Sequence, residues 1–123
     1  MANPNIVAVA NIYGKTVFDA DIATSASAIV TNAASSGKIL KINSLIIANI
    51  DGSSAADITA TIKNAAGNST NSTIANTVTV PADATLVLIS KDTSIYLEED
   101  MSIHLAASAA GDLSGTCSYE EIS

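Results

Sequence analysis

The run DITATIK, Asp57–Lys63, sets Ile58, Ala60 and Ile62 against Asp57, Thr59, Thr61 and Lys63. A period of two is the repeat of an extended strand, whose side chains leave alternately on opposite faces. The segment therefore predicts a half-buried strand with one wet face. The pattern recurs along the chain. Ile74, Val78 and Val80 alternate with Thr73, Thr77 and Thr79, and Met101, Ile103 and Leu105 alternate with Ser102 and His104. Leu113, Cys117 and Tyr119 share one parity, with Ser114, Thr116, Ser118 and Glu120 on the other. Weaker strand patterns lie near residues 6–12, 15–18 and 26–31.

Turn-rich pieces separate these runs: TNAASSGK at 31–38, DGSSAAD at 51–57 and NAAGNSTNST at 64–73. Ser, Thr and Asn compete with a helix backbone for its hydrogen bonds. The Ala-rich HLAASAAGD and TSASAIVTNAA also lack an apolar stripe at helical spacing, so at most a turn or two of helix is expected. About eight to ten short strands in 123 residues predict an all-β chain. Its expected form is a single-domain antiparallel β-sandwich or jelly roll over residues 1–123, with residues 1–12 as an N-terminal arm or edge strand. A chain of this length buries about two-thirds of its unfolded surface and needs no disulfide or metal to fold. Aromatics are 3% of the residues, so Ile, Val, Leu and Ala must fill the core.

One strand is too apolar for this scheme. In LKINSLIIANI, Leu40, Ile42, Ile46, Ala48 and Ile50 form one set, and Lys41, Asn43 and Asn49 mark the other as the outer face. Leu45 and Ile47 fall on that outer face too. TLVLIS repeats the anomaly, with Leu86 and Leu88 on one side and Val87 and Ile89 on the other, and NIVAVAN is a third case. Apolar residues on both faces must be covered by something. Either a loop or the N-terminal arm folds over the sheet, or a subunit interface lies there. The residues assigned to that interface are Leu45, Ile47, Val87 and Ile89, with Ile6, Val7, Val9 and Ile12 of the arm. An arm beginning MANPN could add a strand to a neighbour's sheet or pair within its own chain.

Chemistry is sparse. His104 is the one histidine and falls on the polar face of its strand, without a sequence-near acid or nucleophile. Cys117 falls with the apolar set, which suits a small buried hydrophobe. Asp51 with Asp57, and Glu98, Glu99 and Asp100, are the carboxylate groupings that could hold Ca²⁺, and neither has EF-hand spacing. No phosphate loop, HExxH or GxSxG occurs, so no catalytic residue and no cofactor is expected. NSTNST holds glycosylation sequons at Asn68 and Asn71, which matter only on a eukaryotic secretory route.

The chain carries five Lys, no Arg and a net charge of −7, which disfavours nucleic acid and anionic membrane surfaces as partners. No apolar run approaches the about 20 residues that span a bilayer. MANPNIVAVANIYG lacks the basic segment of a signal peptide.

The C-terminal third, VPADATLVLISKDTSIYLEEDMSIHLAASAAGDLSGTCSYEEIS at 80–123, resembles the end of small virion structural proteins of tailed phages, particularly those infecting cyanobacteria. PADATLVLISKD, IYLEEDMSIHLAASAAGDL and CSYEEIS carry the resemblance by their order. The preceding two-thirds matches in style, through the strand, turn and strand of KILKINSLIIANIDGSSAADITATI. The resemblance implies a β-sandwich that binds other virion proteins and performs no catalysis. The implied role is a capsid decoration or cement protein, made in the host cytoplasm and located in the virion. Its partners would be the major capsid protein or other virion proteins, and its own state a homo-oligomer with a trimer favoured. A neck or tail component is the alternative. A carbohydrate- or cell-binding module would need exposed aromatics or a Ca²⁺ site, and a hydrolase would need a clustered nucleophile, base and acid.

Overall fold

The computed structural model describes residues 3–64 and 69–123, and these form an antiparallel β-sandwich. Among them are nine strands: β1 (Ile12–Asp19), β2 (Ser27–Asn32), β3 (Ile39–Asn49), β4 (Ala56–Asn64), β5 (Ser69–Val80), β6 (Thr85–Ile89), β7 (Ile95–Leu97), β8 (Met101–Ala107) and β9 (Leu113–Ile122). One sheet runs β1-β9-β3-β6, with β7 also on β3; the other runs β2-β8-β4-β5. β6 and β7 lie end to end along β3, joined through a 3-10 turn at Lys91–Thr93. Counted as one interrupted strand, they complete a jelly roll.

Several local expectations change. The turn-rich 64–73 piece loses Ser69–Thr73 to strand β5, and Asn68 lies outside the described residues. Residues 6–11 are not strand. The Ala-rich segments are β2, and β8 with the turn that follows it; no α-helix forms among the described residues.

The core lies between the sheets. Ile42, Leu45, Ile47, Ile58, Leu97, Ile103, Leu105, Leu113 and Cys117 are fully buried there. Gly115 on β9 faces it: a Cβ at this position would stand 3.1 Å from Leu105 and 3.3 Å from Ile22 and Ile29, so the glycine lets the sheets approach.

Leu45, Ile47 and Ile89 are therefore corrections, because all three belong to the core rather than to an outer face. The reason is a β-bulge. Ile42 pairs with Tyr119 and Ser44 with Ser118, which leaves Asn43 as an extra residue in β3. One inserted residue reverses the in-out parity of everything after it. Leu40 and Ile42 point inward before the bulge, and Leu45, Ile47 and Asn49 point inward after it. Ile46 and Ala48 become half-buried and Ile50 is exposed, the reverse of the simple alternation. A second bulge does the same for β6: Leu45 pairs with Ile89 and Ile46 with Val87, so Leu88 is extra. Val87 stays outside, and Ile89 turns in.

Two asparagines at strand ends are also buried. Asn49 donates to the carbonyls of Ser54 (3.0 Å) and Val80 (2.9 Å) and accepts from Asp51 N–H (2.9 Å). Asn32 donates to the carbonyls of Lys38 (2.9 Å) and Leu97 (3.0 Å) and accepts from Ser36 Oγ (2.6 Å). Each carboxamide ties a loop carbonyl to a strand-end carbonyl across the sandwich.

Candidate assembly surface

The arm answers part of the covering question inside the chain. In the β1-β9-β3 register, Ile12, Ile122 and Ile39 lie side by side. Their parity is opposite to Leu40 and Glu121, so they sit on the outer face of the sheet. Ile39 and Ile122 are nonetheless buried. Residues 3–11 run over this face in a turn-like path: Ala8 N–H donates to the Asn5 carbonyl, and Ala10 and Asn11 N–H donate to the Ser123 carbonyl. Asn3 Nδ2 donates to Glu98 Oε1 at 2.7 Å. Asn3, Pro4, Ile6, Ile39, Tyr96 and Glu98 line an open groove of about 350 Å³. Val9 is half-buried along this path, while Ile6 and Ile12 remain about half exposed and Val7 almost fully so.

The other apolar surface is β1 itself. The strand pairs with β9 alone, over eight consecutive residues from Ile12–Ile122 to Asp19–Gly115 and without a register shift. Among the described residues its far edge has no strand beside it. Phe18 is 76% exposed, and Ile12 and Tyr13 are each 54% exposed. Phe18 and Tyr13 were not singled out from sequence, because the weak alternation near 15–18 gave no sign that both would stand free on one edge strand. Ile12 and Phe18 share the outer face. Tyr13, Lys15 and the half-buried Val17 share the inner one, since they pair with Glu121, Tyr119 and Cys117. Lys15 Nζ bonds Glu121 Oε2 at 2.6 Å, and Lys38 Nζ bonds Glu121 Oε1. These bonds hold the Glu121 carboxyl below its ordinary pKa, and the Glu121 bond raises that of Lys15.

The other edges are built differently. β5 shifts register against β4 three times, β2 shifts once against β8, β6 carries the Leu88 bulge, and β7 has three residues. Bulges, short strands and polar side chains are the usual means of keeping a sheet edge from pairing with another chain. β1 has none of the first two.

The chemical candidates are placed as follows. Ser102 Oγ and His104 Nδ1 come within 3.2 Å, a contact that an S-x-H pattern on one strand face could have suggested. Ser102 is buried, so its hydroxyl is closed to a substrate. Burial and the nearby Lys63 lower the His104 pKa, which favours the neutral ring. Burial pushes the Cys117 thiol up to about 11, a poor thiolate former. Asp51 lies in the β3–β4 turn, where Ser53 N–H and Oγ both donate to it at 2.9 Å and lower its pKa. Asp57 instead accepts from Thr79 Oγ1 at 2.8 Å on β5. The neighbour of Asp51 is Asp112, whose carboxyl is raised by desolvation and by Asp51. Glu99 accepts from Gly37 N–H at 3.3 Å. No group of three or more metal-ligating side chains forms among the described residues. No helix among them is long and apolar enough to cross a membrane.

No protein-family model and no curated protein matches the chain. Among solved structures, the fold is similar to that of a subunit described under the words "Bacillus endospore appendages form a novel family of disulfide-linked pili". The TM-score is 0.53 at 13% identity, over 99% of this chain and 98% of that one. A likeness at that identity concerns the fold.

Proposed function

We propose that the chain is a non-enzymatic structural subunit that acts by joining other protein subunits, and that its setting is a phage virion. The most specific form of this reading is a capsid decoration or cement protein that stabilises the head. A neck or tail component is the alternative within the same class. The observation that carries the assembly role is β1: a regular, bulge-free edge with Ile12, Tyr13 and Phe18 exposed along it. Such an edge offers main-chain hydrogen bonds and apolar contacts at once, which is how strand addition generates affinity. Many weak contacts repeated on a lattice then add by avidity. The virion setting rests on the resemblance of residues 80–123.

The endospore likeness supports the same class, a sandwich whose work is to join copies. Its disulfide linkage does not transfer. This chain has a single cysteine, and Cys117 is buried. One thiol cannot bond each subunit to two neighbours, so a filament of this chain would not be held by disulfides from subunit to subunit. A carbohydrate-binding module finds less support, because the groove beside the arm holds one ring, Tyr96, and the rings of Tyr13 and Phe18 leave opposite faces of β1.

Antibodies against the chain, applied to tailed-phage particles purified from the producing host, test the setting. Labelled heads are the expected result. Labelled necks or tails would select the alternative, and particles without label would contradict a virion role.

A further inference from the structure

We infer that β1 is a self-complementary joint: it pairs antiparallel with β1 of a second copy about a two-fold axis, in the register that sets Lys15 opposite Lys15. This inference rests on the assembly reading above and names its first partner. Three observations select a second copy and this register.

The first is regularity. Among the described strands β1 is the edge with an unbroken ladder, whereas β2, β5 and β6 are bulged and β7 is short. An edge without register shifts pairs along its length with another such edge, and among the described strands that edge is β1 itself. An interface of this kind is isologous, so each contact occurs twice.

The second is parity. Residues directly opposite each other in a sheet point to the same face. Across the two-fold, even positions must therefore meet even ones and odd positions must meet odd ones. With Lys15 on the axis, Ile12 meets Phe18 of the second copy on the outer face, and Tyr13 meets Val17 of the second copy on the inner face. Symmetry repeats both pairs. All three of the exposed large apolar residues of β1 find an apolar partner. A shift that puts Thr16 on the axis sets Tyr13 against Asp19 and Phe18 against Gly14. A shift that puts Gly14 on the axis sets Ile12 against Thr16 and carries Phe18 up to Ala10.

The third is charge. Two lysines facing each other across a ladder repel. Here each Lys15 is bonded to Glu121 of its own chain at 2.6 Å, a carboxylate it shares with Lys38, so the axis carries two bridged lysines rather than two bare cations. The joined sheets would read β6-β3-β9-β1-β1-β9-β3-β6 across the axis, and the edge that β1 leaves open would disappear. A two-fold pair is not the trimer implied by the virion resemblance; any larger ring would need a further contact elsewhere.

Variants with one added cysteine beside the buried Cys117 read the register directly. Directly opposed residues of an antiparallel pair have Cα atoms about 4.5–5.5 Å apart, within the about 4.4–6.8 Å that a disulfide spans. Lys15→Cys, Gly14→Cys and Thr16→Cys are each oxidised in dilute solution and run on a non-reducing gel. A side chain at position 14 meets no atom within 4 Å, so that variant is sterically free. The expected result is a band at twice the 12.4 kDa chain mass for Lys15→Cys, with at least tenfold less for the other two. The parent protein, whose Cys117 is buried, should give none. Preferential linking through Gly14→Cys or Thr16→Cys would overturn the register, and no linking by any variant would overturn the joint. Light scattering on the parent protein separates the two levels. A persistent oligomer that none of the three variants links discards β1 as the joint and leaves an assembly subunit. Single chains that also label no particle discard both.

Discussion

β1 and β5 are edge strands, one in each sheet, and they treat the exposed edge in opposite ways. β5 is twelve residues long but shifts register against β4 three times, and its first half, STNST, is exposed hydroxyls and amides. Thr77 even adopts a positive φ of 49°, a conformation that a β-branched residue reaches at a cost, and its N–H bonds Thr59 Oγ1 at 3.1 Å instead of continuing the ladder. β1 is shorter, keeps one register along its length and exposes Ile12, Tyr13 and Phe18 around Lys15 and Thr16. The difference teaches that edge exposure here is selective. The same chain blunts one long edge with bulges and polar groups and leaves another ready to pair. Scattered surface hydrophobes need no explanation, whereas three on one edge strand without a bulge do.

A charge in the core should unfold the chain, and a charge on the joint should not. Leu45→Asp places a carboxylate between the sheets, and a loss of about 4 kcal/mol or more is expected, enough to abolish the cooperative melt followed by circular dichroism. A folded Leu45→Asp variant defective in association would restore Leu45 to an interface. Phe18→Asp should leave the β spectrum and melting temperature of the isolated chain intact. It should weaken self-association about a thousandfold, from roughly 2 kcal/mol of lost apolar contact in each of two symmetric copies. Val78→Asp, 39% exposed on β5 and paired with the core residue Ile58, is the control on the other edge: some loss of stability is expected, and sedimentation should show association unchanged.

A smaller effect sharpens the β5 side. Thr77→Asn keeps the bulge with a residue that tolerates positive φ, and chemical denaturation should show a gain of about 0.5–1 kcal/mol. A loss would mean that the Thr77 side chain holds the bulge in some other way. The smallest effect is in pH. Glu121 has its pKa depressed in the folded chain by Lys15 and Lys38. A depressed carboxylate contributes stability that is present above its unfolded value and lost as pH falls through the folded one. From the ordinary glutamate value of 4.5 downward, that contribution should fade, and the two Lys15 side chains at the axis should lose their neutralising partner. Association measured at stepwise pH should weaken there, and Glu121→Gln should show the weakened state at pH 6. Identical association of Glu121→Gln and parent protein at pH 6 would remove Glu121 from the joint.

Much of the fold was legible in the alternation. β4, β8 and β9 follow their expected parity, and the separation by turns pointed to a sandwich. β3 was legible as a strand but not as a bulged one. Two apolar pairs of opposite parity, Leu40 with Ile42 and Leu45 with Ile47, flank the polar Asn43-Ser44 step. That pattern marks an inserted residue as well as it marks a second apolar face. Only the pairing of Ile42 with Tyr119 and Ser44 with Ser118 decides between them. The buried Asn49 was misplaced for the same reason. The surface was harder to read, because the exposure of Phe18 depends on β1 lying at a sheet edge, and strand order is set by contacts far apart in sequence. Residues 1–12 read as an arm or an edge strand, and Ile12 opens β1 while residues 3–11 are not strand. The arm's seat on Ile39 and Tyr96 of its own chain was one of two open alternatives.

The measurement that bears most directly on the account is the solution mass of the parent protein and of Phe18→Asp, by light scattering over a dilution series. The account predicts a parent protein that reaches at least twice the 12.4 kDa chain mass with rising concentration, and a folded Phe18→Asp variant that stays at one. A parent protein at single-chain mass throughout, or a Phe18→Asp variant that associates as well as the parent, would contradict it.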